Sequence, residues 1–140
     1  MTRKHRLSTS SMYHIYNRGV SKRRIFFNEK DYFYFMYKMA IFKKKYFIRI
    51  ITFCLMPNHF HLLLYTEDVA INISKFMKSL QISYAFYFNR IFKHSGHVFE
   101  SKFQNKVISA SDMPKLIYYI EQNPVKEKLV KSPGKWPYRG

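Results

Sequence analysis

A single cysteine, Cys54, leaves no partner for an internal disulfide and fits a reducing compartment. Glycine (4) and proline (5) are sparse, no repeat or low-complexity segment interrupts the chain, and 140 residues make one domain's worth of core. Residues 1–140 are therefore read as a single domain, with a basic arm over residues 1–11 and a Pro/Gly-rich tail over 131–140. No long apolar run is present either: the longest is broken by Arg49 and is too short to span a bilayer. The basic start, Met1 to Arg6, is followed by no apolar segment, so it does not read as a secretory signal. These absences point to a cytoplasmic protein.

Acidic residues are scarce as well, 8 Asp and Glu against 25 Lys and Arg, for a net charge of +17. A domain this basic meets a polyanion, and the candidates are nucleic acid and an anionic membrane surface. The membrane reading lacks a long basic amphipathic helix with a clean apolar face, so no membrane partner is expected. Aromatic residues reach 19%, many beside Lys or Arg. Most of these rings belong to the core, but the interleaving suits single-stranded nucleic acid, whose phosphates need cations and whose unpaired bases stack on rings. A nucleoid-associated location follows from that partner.

In order, Met12 to Asn17 reads as a strand ended by Arg18-Gly19. Asn28 is a helix N-cap, and Glu29 to Lys45 carries an apolar stripe through Tyr32, Phe35, Met36 and Met39. Tyr46 to Met56 and the run from His59 to Leu64 form a hairpin through Pro57-Asn58. A second helix spans about Val69 to Phe92, a strand Val98 to Ser109, and a last helix starts near Ser111 as N-cap, with Pro124 limiting its extent. The order strand, helix, strand, strand, helix, strand, helix predicts an α+β fold. Its ferredoxin-like antiparallel sheet would have helices packed on one face.

In the strand beginning at His59, alternation aims His59 and His61 from one face, with Phe60 and Leu62 on the other. Two neutral imidazoles at i and i+2 can share one divalent metal; the alternative is a pair of half-buried histidines bonded to backbone. His14 is a third ligand, a DNA contact or a structural residue. On the last helix Tyr119 and Asn123 share a face four residues apart, and so do Tyr118 and Gln122. Spacing leaves both pairs open as nucleophile and ligand.

The stretches Asn58-His59-Phe60-His61-Leu62-Leu63-Leu64, Gly96 to Phe103 and Tyr119-Ile120-Glu121-Gln122-Asn123-Pro124-Val125-Lys126 resemble, in order and spacing, the REP-associated tyrosine transposases. These are HUH single-strand transposases of the insertion-sequence 200/605 type, and the likeness covers roughly Met12 to Val130. The resemblance implies Mg²⁺ or Mn²⁺ held by His59, His61 and Asn123, with Tyr119 as the nucleophile and Tyr118 as second choice. It implies cleavage and rejoining of single-stranded DNA hairpins through a 5′-phosphotyrosine, by a monomer or homodimer. Lys22, Arg23, Arg24, Lys43, Lys44, Lys45, Lys102 and Lys106 are candidate DNA-backbone contacts. Two rivals share much of this pattern: a domesticated hairpin-binding protein that does not cleave, and a replication- or relaxase-type nickase, which the 140-residue length disfavours.

Overall fold

Along the first strand, Tyr13, Ile15 and Asn17 alternate with Met12, His14, Tyr16 and Arg18, and each set finds a different layer. The computed structural model describes residues 12–67 and 71–140, so the basic arm expected over 1–11 lies outside the described residues. Its elements are β1 (Met12–Arg18), α1 (Glu29–Lys45), β2 (Arg49–Met56), β3 (His59–Tyr65), α2 (Ile71–Ile91), β4 (Gln104–Ile108) and α3 (Met113–Lys126). The strands form one antiparallel sheet in the order β2-β3-β1-β4. β1 and β2 flank β3, which is the split arrangement of the ferredoxin-like fold.

Tyr13, Ile15, Leu55, Phe60, Leu62 and Leu64 face α1 and α2 and pack with Phe35, Met39, Phe76, Leu80 and Tyr84 into the main core. The start of α1 is built as expected: the Asn28 side chain accepts from the Asp31 N–H, and Asp31 returns a bond to the Asn28 backbone. Asp31 is fully buried yet satisfied, since it also accepts from the Phe27 N–H and the Tyr87 hydroxyl.

The antiparallel α+β sheet and the two helices sharing a face stand as expected, while α3 covers the opposite face. Its apolar residues Met113, Leu116, Ile117 and Ile120 fall at i, i+3, i+4 and i+7, a stripe that meets Cys54, Met56 and Leu63. Asn123, also buried, continues that stripe toward the end of the sheet where β3 begins. α3 starts later than expected: Asp112, not Ser111, sits at the cap, and the Ser109 hydroxyl accepts its N–H. The helix runs through Pro124 and ends two residues beyond it.

The strand expected over Val98 to Ser109 is shorter. Only Gln104–Ile108 joins the β1 ladder. Ahead of it the Asn17 side chain donates to the carbonyls of Ser101 and Lys102, which holds these residues off the ladder. Phe99 instead bridges Gly19, where a Cβ would lie 2.3 Å from the Arg23 carbonyl oxygen. The 131–140 segment lies along β2: Leu55 N–H donates to Tyr138 O and Phe53 N–H to Gly140 O. Trp136 Nε1–H donates to the Leu55 carbonyl, and Tyr138 stacks on Tyr32 at 3.8 Å. No helix among the described residues is long and apolar enough to cross a membrane.

Candidate active site

The Pro57-Asn58 turn brings β2 back as β3, so His59 and His61 open the strand at one end of the sheet. Register sets His59 beside Arg18 and His61 beside Tyr16 on β1, on the face that α3 covers. The two imidazole rings lie edge to face, with centroids 5.2 Å apart. α3 delivers the remaining parts: Tyr119 meets the His61 ring edge to face at 5.7 Å, and buried Asn123 lines the same pocket as His59. These groups line one pocket of about 570 Å³, together with Tyr16, Lys22, Lys126 and Glu127.

Both imidazoles are held in defined orientations. His59 Nδ1 lies 2.7 Å from Asn58 Oδ1, so Nδ1–H donates and the lone pair sits on Nε2. His61 Nδ1 lies 3.0 Å from His14 Nε2. When His61 donates in that bond its Nε2 is likewise free to bind a cation. His14, whose role spacing left open among ligand, DNA contact and structural residue, is thus the partner that orients His61. A third neighbour completing such an arrangement was legible only once β1 and β3 were known to pair.

Burial is the main cause of the histidines' altered acidity. It lowers His61 to about 3, with the charges of His59 and His14 acting in the same direction. His14 falls to about 4 through burial and then the nearby Lys106. His59 is also lowered by burial, against the opposing pull of Glu127 and the Asn123 hydrogen bond. All three rings are neutral at pH 7, the form in which imidazole donates a lone pair. Among the described residues no three His, Cys, Asp or Glu side chains form a metal-ligating group, so a cation here would also draw on the Asn123 amide. Two oriented imidazoles and an amide oxygen on one open pocket fit a divalent cation that keeps positions free for substrate oxygens.

Of the two tyrosines, Tyr119 lines the pocket and is 45% exposed, whereas Tyr118 is 65% exposed and is not part of the pocket wall. Lys126 lies two turns after Tyr119, with Nζ 5.8 Å from the ring centroid. Lys22 is the candidate DNA contact that lies at this pocket. Arg23 is engaged with His94 at 2.6 Å, and Arg24 donates to the Phe26 carbonyl while lying over Phe27. Lys102 borders a separate pocket, and Lys106 pairs in register with His14 on exposed β4. Lys43, Lys44 and Lys45 end α1 just before Arg49, which pairs with Tyr65 at the far end of the sheet from His59. Sequence reasoning missed the Arg18–Glu100 ion pair and Glu127 at the pocket. The period-2 alternation of β1 could have placed Arg18 on the histidine face, but Glu100 lies in a stretch whose pattern reads as a strand and which the structure leaves irregular.

Comparison with known proteins agrees with this fold. Residues 8–123 match the family model described as transposase IS200 like. A structure described as the REP-associated tyrosine transposase bound to a REP hairpin superposes with a TM-score of 0.74 at 16% identity, over 99% of this chain and 82% of that one. A crystal structure from Deinococcus radiodurans, described as a candidate transposase, superposes with a TM-score of 0.57 at 18% identity, over 87% of this chain and 97% of that one. No curated protein matches the chain in sequence. At these identities the structural matches speak to the fold, and the family model, which spans most of the chain, speaks to descent. The chain belongs to the IS200-like transposase family.

Proposed function

We propose that the chain cleaves and rejoins single-stranded DNA at hairpin sequences through a covalent 5′-phosphotyrosine on Tyr119. The observation that carries this reading is the convergence of Tyr119, His59, His61 and Asn123 in one basic pocket. His59, His61 and Asn123 would hold Mg²⁺ or Mn²⁺. When bound, such an ion neutralises charge on the scissile phosphate and polarises phosphorus for attack.

The chain's own residues supply the remaining chemistry. Tyr119 Oη attacks phosphorus, loses its proton, and forms a P–O bond as the bond to the 3′ oxygen breaks. That oxygen takes up a proton and leaves as a 3′-OH. The ammonium of Lys126, beside the Tyr119 ring, offers a cation to the negative charge of the phosphate that Tyr119 attacks. Lys22 at the pocket offers a cation to the DNA backbone. Rejoining is the reverse: a 3′-OH attacks the phosphotyrosine and Tyr119 leaves, so the bond energy is conserved where hydrolysis would discard it. Positioning and charge are most of what in-line phosphoryl transfer requires, which a 140-residue domain can provide. The hairpin-bound state of the structural neighbour supports DNA hairpins as the substrate class.

The test is incubation of the full chain with labelled single-stranded hairpin DNA in Mg²⁺, in Mn²⁺ or in chelator, followed by a denaturing gel. A protease-sensitive shifted band is expected with either metal, lost in chelator and in Tyr119→Phe, while native-gel retardation survives in Tyr119→Phe. Retardation of several hairpins with no covalent band in any metal would replace this reading with a binding-only one.

A further inference from the structure

At the end of the sheet where β3 begins, one ion pair has no part in the chemistry described so far. Arg18 ends β1, and register sets it opposite His59 on the face that α3 covers. Its Nε–H and Nη2–H donate to the two carboxylate oxygens of Glu100, the second at 3.2 Å. Both side chains line the candidate active site with Tyr119, His59 and His61. Among the described residues this is the one ion pair between a basic and an acidic side chain, in a chain with 25 Lys and Arg against 8 Asp and Glu. The two side chains are 46% and 44% exposed, and at such exposure an ion pair contributes little to stability. Holding the fold together is therefore not its main effect.

Backbone bonds fix both partners. Glu100 N–H donates to the Arg18 carbonyl at 2.8 Å, and Gly19 N–H donates to the Asn58 carbonyl at 3.0 Å. Asn58 is also the residue whose side chain orients His59. Arg18 and His59 thus stand on one frame, and the Arg18 charge opposes protonation of His59 across it. Glu100 occupies the side of the guanidinium made by Nε and Nη2. A guanidinium carries five N–H groups, so the end made by Nη1 and Nη2 keeps hydrogens to give. Nη1 has no hydrogen-bond partner among the described residues.

We propose that Arg18 is a catalytic residue whose Nη1/Nη2 end binds two oxygens of the phosphate that Tyr119 attacks, with Glu100 as the residue that positions it. The proposal rests on the DNA cleavage reading given above. The donor set decides the ligand: a planar, charged fork of N–H groups matches two oxygens of one phosphate. Lys22 and Lys126 on the same pocket are point charges on flexible stems. Arg18 differs from them in being held before any substrate arrives, so it needs no reorganisation as negative charge builds on the phosphate oxygens. Glu100 stays on the Nε side throughout, and the phosphate does not have to displace it.

The test pairs Arg18→Ala with a methylphosphonate scan, in which one phosphate at a time loses its negative charge. The unaltered full chain first cuts a labelled hairpin strand in Mn²⁺, and the covalent band with the length of the released fragment locates the cleaved phosphate. Affinities are then measured by fluorescence anisotropy in chelator, so that no metal ion contributes and no strand is cut. Arg18→Ala should keep its Tm within a few degrees, because the pair it removes is exposed. About a tenfold loss of affinity for the native strand is expected, the size of one charge-assisted contact. A methylphosphonate at the cleaved position should weaken the unaltered protein by a similar factor and Arg18→Ala hardly at all, the coupling expected when both changes remove one contact. Arg18→Lys, which keeps the charge without the fork, should recover only part of the loss, and full recovery would overturn the two-oxygen contact. Coupling at no position, or only at a phosphate other than the cleaved one, overturns the assignment of Arg18. In that case the covalent band from the unaltered protein shows that the proposed function still stands. No covalent band with any strand overturns both.

Discussion

Among single residues, the orientation of the histidine rings decides what the pocket can bind. An imidazole has two nitrogens, and only a hydrogen bond on one of them fixes which lone pair faces the pocket. Asn58 does this for His59, and the 3.0 Å bond to His14 does it for His61 when His61 is the donor. His14→Ala should therefore weaken Mn²⁺ binding by roughly tenfold or more, the usual effect of removing a residue that orients a metal ligand. His14→Asn, which can still accept from His61 Nδ1–H, should recover part of that loss. Calorimetric titration of the three proteins with Mn²⁺ checks it, and equal affinities would show that His61 needs no such partner. The His59 and His61 pair was legible from alternation alone, because a strand's period is insensitive to what it pairs with. His14 was not, since its meaning depends on β1 lying beside β3, a relation between residues 47 positions apart. Tyr119 and Tyr118 were likewise inseparable by spacing. The α3 stripe that buries Ile120 and Asn123 sets which of the two tyrosines reaches the pocket.

Elements place these residues, and their ends are where sequence signals were strongest and weakest. The bounds of α1 were readable because Asn28 and Asp31 form a reciprocal cap immediately before an apolar stripe. Asp31 also anchors Tyr87 of α2, so it ties the two helices of one layer together. Asp31→Ala should cost about 2–4 kcal/mol, since it leaves three donors without their buried acceptor. Urea unfolding would show this as a lower midpoint, and a loss under roughly 0.5 kcal/mol, the range of ordinary surface substitutions, would mean that water replaces the carboxylate. The start of α3 and the span of β4 were less legible. Ser109, Ser111 and Asp112 are all acceptable near a helix start, and only the local fold selects Asp112. The stretch from Val98 to Ser109 reads like a strand, yet Asn17 captures the carbonyls of Ser101 and Lys102 and keeps its first part off the ladder.

At the scale of the whole molecule, one sheet separates two functions. α1 and α2 close one face into a core, and α3 with the histidines makes the other face the one that holds the candidate site. Placing titratable rings beneath α3 has a consequence for stability. His14 and His61 have folded pKa values lowered to about 4 and about 3, well under the value of 6.5 expected when unfolded. Their contribution to stability is present in full above pH 6.5 and is lost as pH falls, because the unfolded chain binds the protons first. Between pH 6.5 and 5 the two rings together should remove about 2–4 kcal/mol at most. Melting temperature against pH should therefore slope downward across that window, and His14→Asn should flatten it; a level curve from pH 7 to 5 would contradict the buried neutral pair.

In the proposed function it is Tyr119 that carries the DNA. The most direct measurement is to trap the adduct on single-stranded hairpin DNA, digest with nuclease and trypsin, and fragment the nucleotide-bearing peptide by mass spectrometry. Cleavage after Lys115 and Lys126 yields Leu116 to Lys126, which contains both Tyr118 and Tyr119. The nucleotide phosphate is expected on Tyr119 alone. A phosphate on Tyr118, or cleaved DNA whose 5′ ends are free of protein, would contradict it.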